Sequence, residues 1–392
     1  MSLDLSVQKM DPHAALAAYE AATTRPPVEV SSDLEEALEQ VGKLARQALE
    51  VPESETTELT GATLRVITLL EGDTSRLDLL ALFKRSFPLS SERISELFRE
   101  IQEVTGAELF GGKGNHILLA KATAEKVCLE LAGANGTSLP IAVQEDQARV
   151  LTSAGYVFMF LREYEQAYAC HKAAYDIRYR LYGELDLDAK DFIERKQVHL
   201  DTADSMKNIG YALIGQERRE EARQYFVESW ANQSILEAPP LVLLDSQHGM
   251  ADADVHSDPP QALKSYESVR KELSQLIEKL EGSTEPADAF QKMFANLALA
   301  ICLRNIGNLH LTLGNQSVAA ESLQEACERL RKDSNGGMRL YLITALVGLS
   351  KAYQVMKEEG KRCEALKEAR AIVEEMFHGT PSPHSEMLAA AS

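Results

Sequence analysis

The chain has 392 residues, 45% of them hydrophobic and 26% charged, the balance of a folded globular protein long enough for two or three domains. Its 60 acidic residues against 41 Lys and Arg leave a net charge of −19, which repels phosphate backbones and excludes nucleic-acid binding except through a local basic patch. No run of eighteen apolar residues is present, so no helical membrane span is expected, and the dominance of Leu, Ala and Glu favours helix.

The opening residues, MSLDLSVQKMDPH, show neither a basic stretch nor an apolar one, so no secretory signal is expected and the chain reads as cytoplasmic. A short amphipathic segment within residues 1–30 breaks at Thr23-Thr24-Arg25-Pro26-Pro27. Ser31-Ser32-Asp33 is a capping sequence for a helix running to about Val51. Further helices fit Ala62–Glu71, Ser75–Phe87 and Ser90–Thr105. The Gly-rich turn Gly111-Gly112-Lys113-Gly114-Asn115 precedes a helix from about Ala120 to Leu131. Residues 132–138, Ala-Gly-Ala-Asn-Gly-Thr-Ser, mark a domain boundary. The expected layout is a helical N-terminal domain over 1–135, a helical repeat domain over 141–377 and a disordered tail over 378–392.

Within the N-terminal part, Ser95 lies early in one helix, Gly106 closes it, and Leu109-Phe110, a Gly-rich turn and Leu119 follow in order. Residues 75–131 resemble in this respect the winged helix-turn-helix of LysR-type and molybdate-type regulators. The departures are Gly112 in place of the wing Arg, and Ala120 and Thr123 in place of a Thr and a Gly. Glu92, Glu96 and Glu100 make the would-be recognition helix acidic, and the eight cations of 75–131 are balanced by eight acids. A neutral module of this shape suits a protein contact better than a phosphate backbone.

The repeat region obeys a rule around Gly155, Gly210 and Gly307. A larger apolar residue lies four before each Gly (Leu151, Met206, Leu303), and Ala lies twelve after it (Ala167, Ala222, Ala319). A bulky or ring side chain comes sixteen after (His171, Phe226, Leu323) and a small residue nineteen after (Ala174, Ser229, Ala326). Gly on one helix and Ala on the next let two helices cross closely, with large residues filling the flanks. The pattern resembles the tetratricopeptide repeat (TPR), an antiparallel helix pair that binds partners. A weaker copy holds Leu346, Leu349, Ser350, Tyr353, Leu366 and Ala369, with Arg362 where a small residue belongs. Ala262, Tyr266 and Val269 read as a second helix whose first helix is broken or missing.

The spacing is irregular, 55 residues from Gly155 to Gly210 and 97 from Gly210 to Gly307. Leu181-Tyr182-Gly183 and His199-Leu200-Asp201-Thr202-Ala203-Asp204 are similar to the two ends of a kinesin-light-chain type repeat, with an insertion over 184–196 between them. Asp201 or Thr202 then fits a helix N-cap. A second, long and irregular insertion is expected over 238–260.

The TPR resemblance implies a concave wall built by the first helix of each pair. The residue two before the Gly faces that groove, which carries the family's groove asparagines onto Asn208 and Asn305; Ser153 departs, as does Gly348 in the weak copy. Lys207 and Arg304 precede them, and Tyr156, Tyr211 and Asn308 follow each Gly. Lys207, Asn208, Tyr211, Arg304, Asn305 and Asn308 are therefore the candidate peptide-binding set, suited to an extended segment with an acidic group. Thr152, where Lys would be needed, departs from the chaperone-tail carboxylate clamp.

No catalytic constellation emerges. Gly106 to Lys113 misses the P-loop, with Lys one place late and no Ser or Thr after it. His248, Asp252, Asp254, His256 and Asp258 have metal-capable side chains but break the EF-hand rule at Ser257 and Leu263. Cys170-His171 are adjacent on a helix and point apart. Five scattered cysteines, Cys128, Cys170, Cys302, Cys327 and Cys363, read as small buried residues of a reducing compartment. The sequence thus describes an all-α, non-enzymatic adaptor or scaffold with no cofactor and no metal, its partner a protein or peptide and its oligomeric state open. The alternative is a winged-helix transcription regulator controlled by its repeats.

Overall fold

The structure, a computed structural model, describes residues 12–23, 32–50, 57–71, 83, 91–106, 117–131, 141–184, 192–283, 285–332 and 336–391. Among them there are sixteen α-helices and no strand, and no helix is long and apolar enough to cross a membrane. The chain divides into two compact units, residues 1–97 with 125–147, and residues 98–124 with 148–392.

In the first unit, α1 (Pro12–Thr23), α2 (Ser32–Glu50) and α3 (Thr57–Glu71) pack in sequence around Ala18, Ala37, Val41, Val66 and Phe83. Two more helices, α4 (Ser91–Thr105) and α5 (Ile117–Leu131), follow the expected helices closely. Their portions in this unit share an ion pair in which Arg93 donates two hydrogen bonds to Glu130, at 2.8 and 2.7 Å. Leu109, Phe110 and the Gly111–Asn115 turn, which carry much of the winged-helix resemblance, lie outside the described residues, as does most of the expected helix Ser75–Phe87.

The second unit is an array of five helical hairpins: α6 (Ile141–Phe160) with α7 (Tyr164–Glu184), α8 (Phe192–Gly215) with α9 (Arg219–Ile235), α10 (Pro240–Asp254) with α11 (Pro259–Lys279), α12 (Pro286–Thr312) with α13 (Gln316–Lys332), and α14 (Gly336–Met356) with α15 (Glu359–Phe377). The first seven residues of α6 belong to the other unit. The short α16 (Pro383–Ala390) packs on α14 and α15.

The sequence rule around each Gly is a crossing rule. A Cβ on Gly210 would sit 2.8 Å from Phe226, one on Gly307 would sit 2.6 Å from Leu323, and one on Gly155 would overlap His171. Ala167, Ala222 and Ala319 are fully buried opposite them. Seven residues after the crossing residue the chain turns through the left-handed region at Arg162 (φ 62°), Glu217 (φ 63°), Gly314 (φ 78°) and Lys357 (φ 61°). The following amide then reaches five residues back, as in Glu163 N–H to Phe158 O (2.8 Å) and Arg218 N–H to Leu213 O (2.9 Å), which closes the helix end with its carbonyls satisfied.

Four expectations need correction. The irregular insertion over 238–260 is instead helix α10, so the hairpin of Ala262 and Tyr266 has its first helix after all. Its crossing residue is Ala251, fully buried in one apolar cluster with Ala262, Tyr266 and Val269. Pro259 follows Ala251 by eight residues, where Tyr164, Arg219 and Gln316 follow their Gly by nine. This shorter turn has no left-handed residue and uses an N-cap, Asp258, which accepts from Gln261 N–H at 3.1 Å. Second, Asp201 and Thr202 are not N-caps, because they lie inside α8, where Thr202 donates to Val198 O at 2.6 Å. Of the 184–196 insertion, Glu184 ends α7, residues 192–196 begin α8, and 185–191 lie outside the described residues. Third, the tail expected to be disordered carries α16, started by a reciprocal Ser382–Ser385 capping box, with His384 and Leu388 buried. Fourth, Cys170, Cys302 and Cys327 are buried, but Cys128 is half-buried and Cys363 exposed.

Candidate functional site

The first helices of successive hairpins adjoin one another, α8 to α10, α10 to α12 and α12 to α14, so they form the inner wall of the array. Positions six, three and two before the crossing residue and one after it recur on one helical face and look along that wall. They carry Asp204, Lys207, Asn208 and Tyr211 on α8; Asp245, His248, Gly249 and Asp252 on α10; Arg304, Asn305 and Asn308 on α12; and Thr344 and Gly348 on α14.

These side chains bond forward from hairpin to hairpin. On α6, Tyr156 Oη accepts from Asn208 Nδ2 at 3.1 Å and lies 3.4 Å from Asp204. Tyr211 Oη stands 2.7 Å from Asp245 Oδ1, with His248 Nδ1 at 3.5 Å. Asp252 accepts from Asn305 Nδ2 at 2.7 Å and from the hydroxyl of Tyr266, while His248 Nε2 lies 3.2 Å from the same amide. The wall is a run of polar rungs tying each hairpin to the next.

Lys207 sits within the first rungs, 2.6 Å from Asp204 and 2.7 Å from Asp245, its side chain only 9% exposed against 33% and 39% for the two carboxylates. Burial alone would strip Lys207 of its charge, but Asp204 and Asp245 outweigh it and hold the ammonium pKa well above its ordinary value. Burial would likewise raise Asp204, yet the Lys207 charge and hydrogen bond, with Arg178, keep its carboxyl below the usual range. Burial, with Asp204 beside Tyr156 and with Asp245 and Asp252 beside Tyr211, pushes both phenols up, so each stays a neutral hydroxyl.

Arg304 differs from Lys207. Its Nε and Nη2 donate to Asn305 Oδ1 at 3.0 and 2.8 Å, its Nη1 donates to Thr344 Oγ1 at 3.1 Å, and Tyr341 lies over the guanidinium at 5.3 Å. Those partners are neutral, and among the described residues no carboxylate pairs with it. A guanidinium has five N–H donors, so one on Nη1 and one on Nη2 remain, a geometry suited to a two-oxygen anion.

Of the six residues expected to face a ligand, the structure gathers Asn208 into the rung of α6 and α8, Lys207 and Tyr211 into that of α8 and α10, and Arg304 and Asn305 into those of α10 to α14. Asn308 is exposed, its Oδ1 in the space that a Cβ on Gly348 would need, 2.6 Å away. Sequence reasoning missed Asp204, Asp245, His248, Asp252, Tyr266 and Tyr341. A signal was available for α10: Asp245, His248 and Asp252 fall at i, i+3 and i+7 around the buried Leu244 and Ala251. His248, Asp252, Asp254, His256 and Asp258, weighed as a metal loop, lie on α10 and its turn, and among the described residues no group of His, Cys, Asp and Glu is placed to hold an ion.

Five hairpins with small crossing residues and an inner wall of first helices decide the fold. The repeat domain has a TPR-like fold. The chain is similar to a solved Rap protein complexed with Competence and Sporulation Factor, at 13% identity and a TM-score of 0.51, over 87% of this chain and 78% of that one. Lesser similarities are to aspartyl phosphate phosphatase F of Bacillus subtilis (11% identity, TM-score 0.42, 93% of this chain and 92% of that one) and to kinesin-light-chain TPR-like repeats of Podosopora anserina (15%, 0.36, 60% and 99%). No family model and no curated protein matches the chain. At these identities the likeness speaks to the TPR-like fold alone.

Proposed function

We propose that this protein is a non-enzymatic adaptor whose TPR-like groove captures a peptide segment of a protein partner, with an acidic group of that segment held by Arg304. The observation that carries the reading is the state of the two groove cations. Lys207 is neutralised by Asp204 and Asp245 and serves the array. Arg304 is oriented by Asn305 and Thr344 and stacked by Tyr341, yet keeps two N–H donors for an outside anion. Tyr211 and Asn308 flank the peptide path, and the chain's excess of 60 acids over 41 bases disfavours a nucleic-acid partner.

The test uses two pools of random pentapeptides, one with free C-terminal carboxylates and one amidated, read by mass spectrometry after retention on the full chain. Retention of the free-carboxylate or Asp/Glu-bearing members is expected, with loss in an Arg304→Gln chain that circular dichroism shows to be folded. Replacing a charged hydrogen bond by a neutral one should weaken binding by about 1.5–3 kcal/mol, roughly 10- to 150-fold in Kd. Equal retention of both pools by wild type and Arg304→Gln would refute the assignment.

A further inference from the structure

The ends of the array meet. Phe160, the last residue of α6, packs edge-on against Tyr341 near the start of α14, with ring centroids 5.6 Å apart and planes at 69°. Two residues on, Arg162 Nη1 donates to Met387 Sδ on α16 at 3.1 Å. On that helix, His384 is buried with its ring stacked on Phe377. Tyr341 is the same ring that lies over Arg304, so the closing contact and the open guanidinium share a side chain.

Nothing in the local rules of a hairpin array requires its first and last members to touch. Each hairpin buries its apolar face against its neighbours in sequence. Those neighbouring interfaces are interdigitated apolar clusters, such as the one joining Leu244, Tyr266, Leu299, Leu303 and Ala326. The end-to-end contact includes groups of another kind, an aromatic pair and a weak N–H···S hydrogen bond. It can part without disrupting any hairpin. It also borders the candidate anion site, since Tyr341 contacts Phe160 and lies 5.3 Å from the Arg304 guanidinium carbon.

We propose that Phe160 and Arg162 on the first hairpin, with Tyr341 and Met387 at the far end, form a clasp that closes the groove, and that the groove admits its ligand when this clasp opens. The Tyr341 ring lies 5.3 Å from the Arg304 guanidinium carbon, beside the cation that holds the proposed ligand's anion. The proposal rests on the groove being the ligand site, but the clasp itself is measurable without any ligand.

The experiment compares the full chain with Phe160→Ala/Tyr341→Ala and, separately, with Arg162→Ala/Met387→Ala, by small-angle X-ray scattering and amide hydrogen exchange. Both variants should show a larger radius of gyration than wild type. Exchange should rise tenfold or more in α16 and at residues 161–163, with the amides of α8 to α13 unaltered. Far-ultraviolet circular dichroism checks folding, and if the aromatic double variant loses helix, the Arg162/Met387 variant decides alone. Wild-type scattering and exchange in a folded variant would overturn the clasp. Expansion of the variants alongside failure of the pentapeptide screen would keep the clasp and remove the peptide reading instead.

Discussion

His171 offers a quantitative test of how the crossing rule works. It occupies in α7 the place that Phe226 and Leu323 hold in α9 and α13, against the Gly of its own hairpin. The ring is 0% exposed, and neither nitrogen has a hydrogen-bond partner. Burial pushes its pKa down to about 3, with Arg178 and Lys207 adding to the shift and Asp204 opposing it. The unfolded chain takes up this proton near pH 6.5 and the folded chain only near pH 3. Acidification between those values therefore favours the unfolded state, by about 1.4 kcal/mol per pH unit. Going from pH 6.5 to pH 5 should cost about 2 kcal/mol at this residue. His384, which burial pushes down to about 4, and His199, which burial also lowers, have the same sign, so the wild-type slope should be at least that of His171 and His384 together above pH 4. His171→Leu restores the side-chain class found in the other hairpins. It should remove about 1.4 kcal/mol per pH unit from that dependence and add about 1–2 kcal/mol at pH 7.5, by removing a buried polar group that has no partner among the described residues. Urea unfolding at pH 7.5, 6.5 and 5.5, followed through the single tryptophan, Trp230, measures both effects. A His171→Leu protein as acid-sensitive as wild type would refute the reasoning.

Three further outcomes are expected from urea or thermal melts. Lys207→Met leaves Asp204 and Asp245 facing each other and should destabilise by about 2–3 kcal/mol, less than a fully buried pair would lose because both carboxylates keep about a third of their exposure; Asp204→Asn in the same chain should recover part of it. Glu217→Gly and Lys357→Gly relieve left-handed backbone at φ 63° and 61° and should each stabilise by about 0.5–1 kcal/mol, net of the extra chain entropy of Gly. Gly210→Ala puts a methyl 2.8 Å from Phe226 and should cost about 1–3 kcal/mol, whereas Gly360→Ala meets nothing within 4 Å and should gain about 0.5 kcal/mol.

The repeat was legible where the crossing geometry forces residue types. Gly155, Gly210 and Gly307 have no room for a Cβ, and their Ala partners are fully buried, so packing writes itself into fixed offsets. It was illegible where one backbone residue is missing. The shorter turn after α10 moves Ala262 and Tyr266 one place nearer their crossing residue, and Ala251 fills the place of a Gly. A fixed-offset search then sees prolines and acids over 238–260 and reads a loop. Pro240 and Pro259 in fact sit at the first positions of α10 and α11, where their missing N–H costs nothing. Losing α10 from the reading also lost half of the groove, since Asp245, His248 and Asp252 come from it. The tail misled for a similar reason: its prolines and serines are the capping residues of α16.

The groove asparagines show why a family role moves only residue by residue. An amide two before the crossing Gly is placed to reach a ligand, but it is equally placed to reach the preceding hairpin's side chain one after its own crossing residue. Asn208 meets Tyr156 there, and Asn305 meets Asp252. Once those bonds form, removing either amide leaves a buried hydroxyl or carboxylate short of a partner, so the first effect of Asn→Ala falls on the register of neighbouring hairpins. Lys207 is bound to the array for the same reason, by two carboxylates from consecutive first helices. Arg304 escapes because α14 presents Thr344 and Val347 where α10 presents Asp245 and His248. A neutral hydroxyl orients the guanidinium without discharging it. On the proposed reading an anion is held at this rung, whose forward partner carries no charge, and an acid introduced there as Thr344→Asp should abolish that binding.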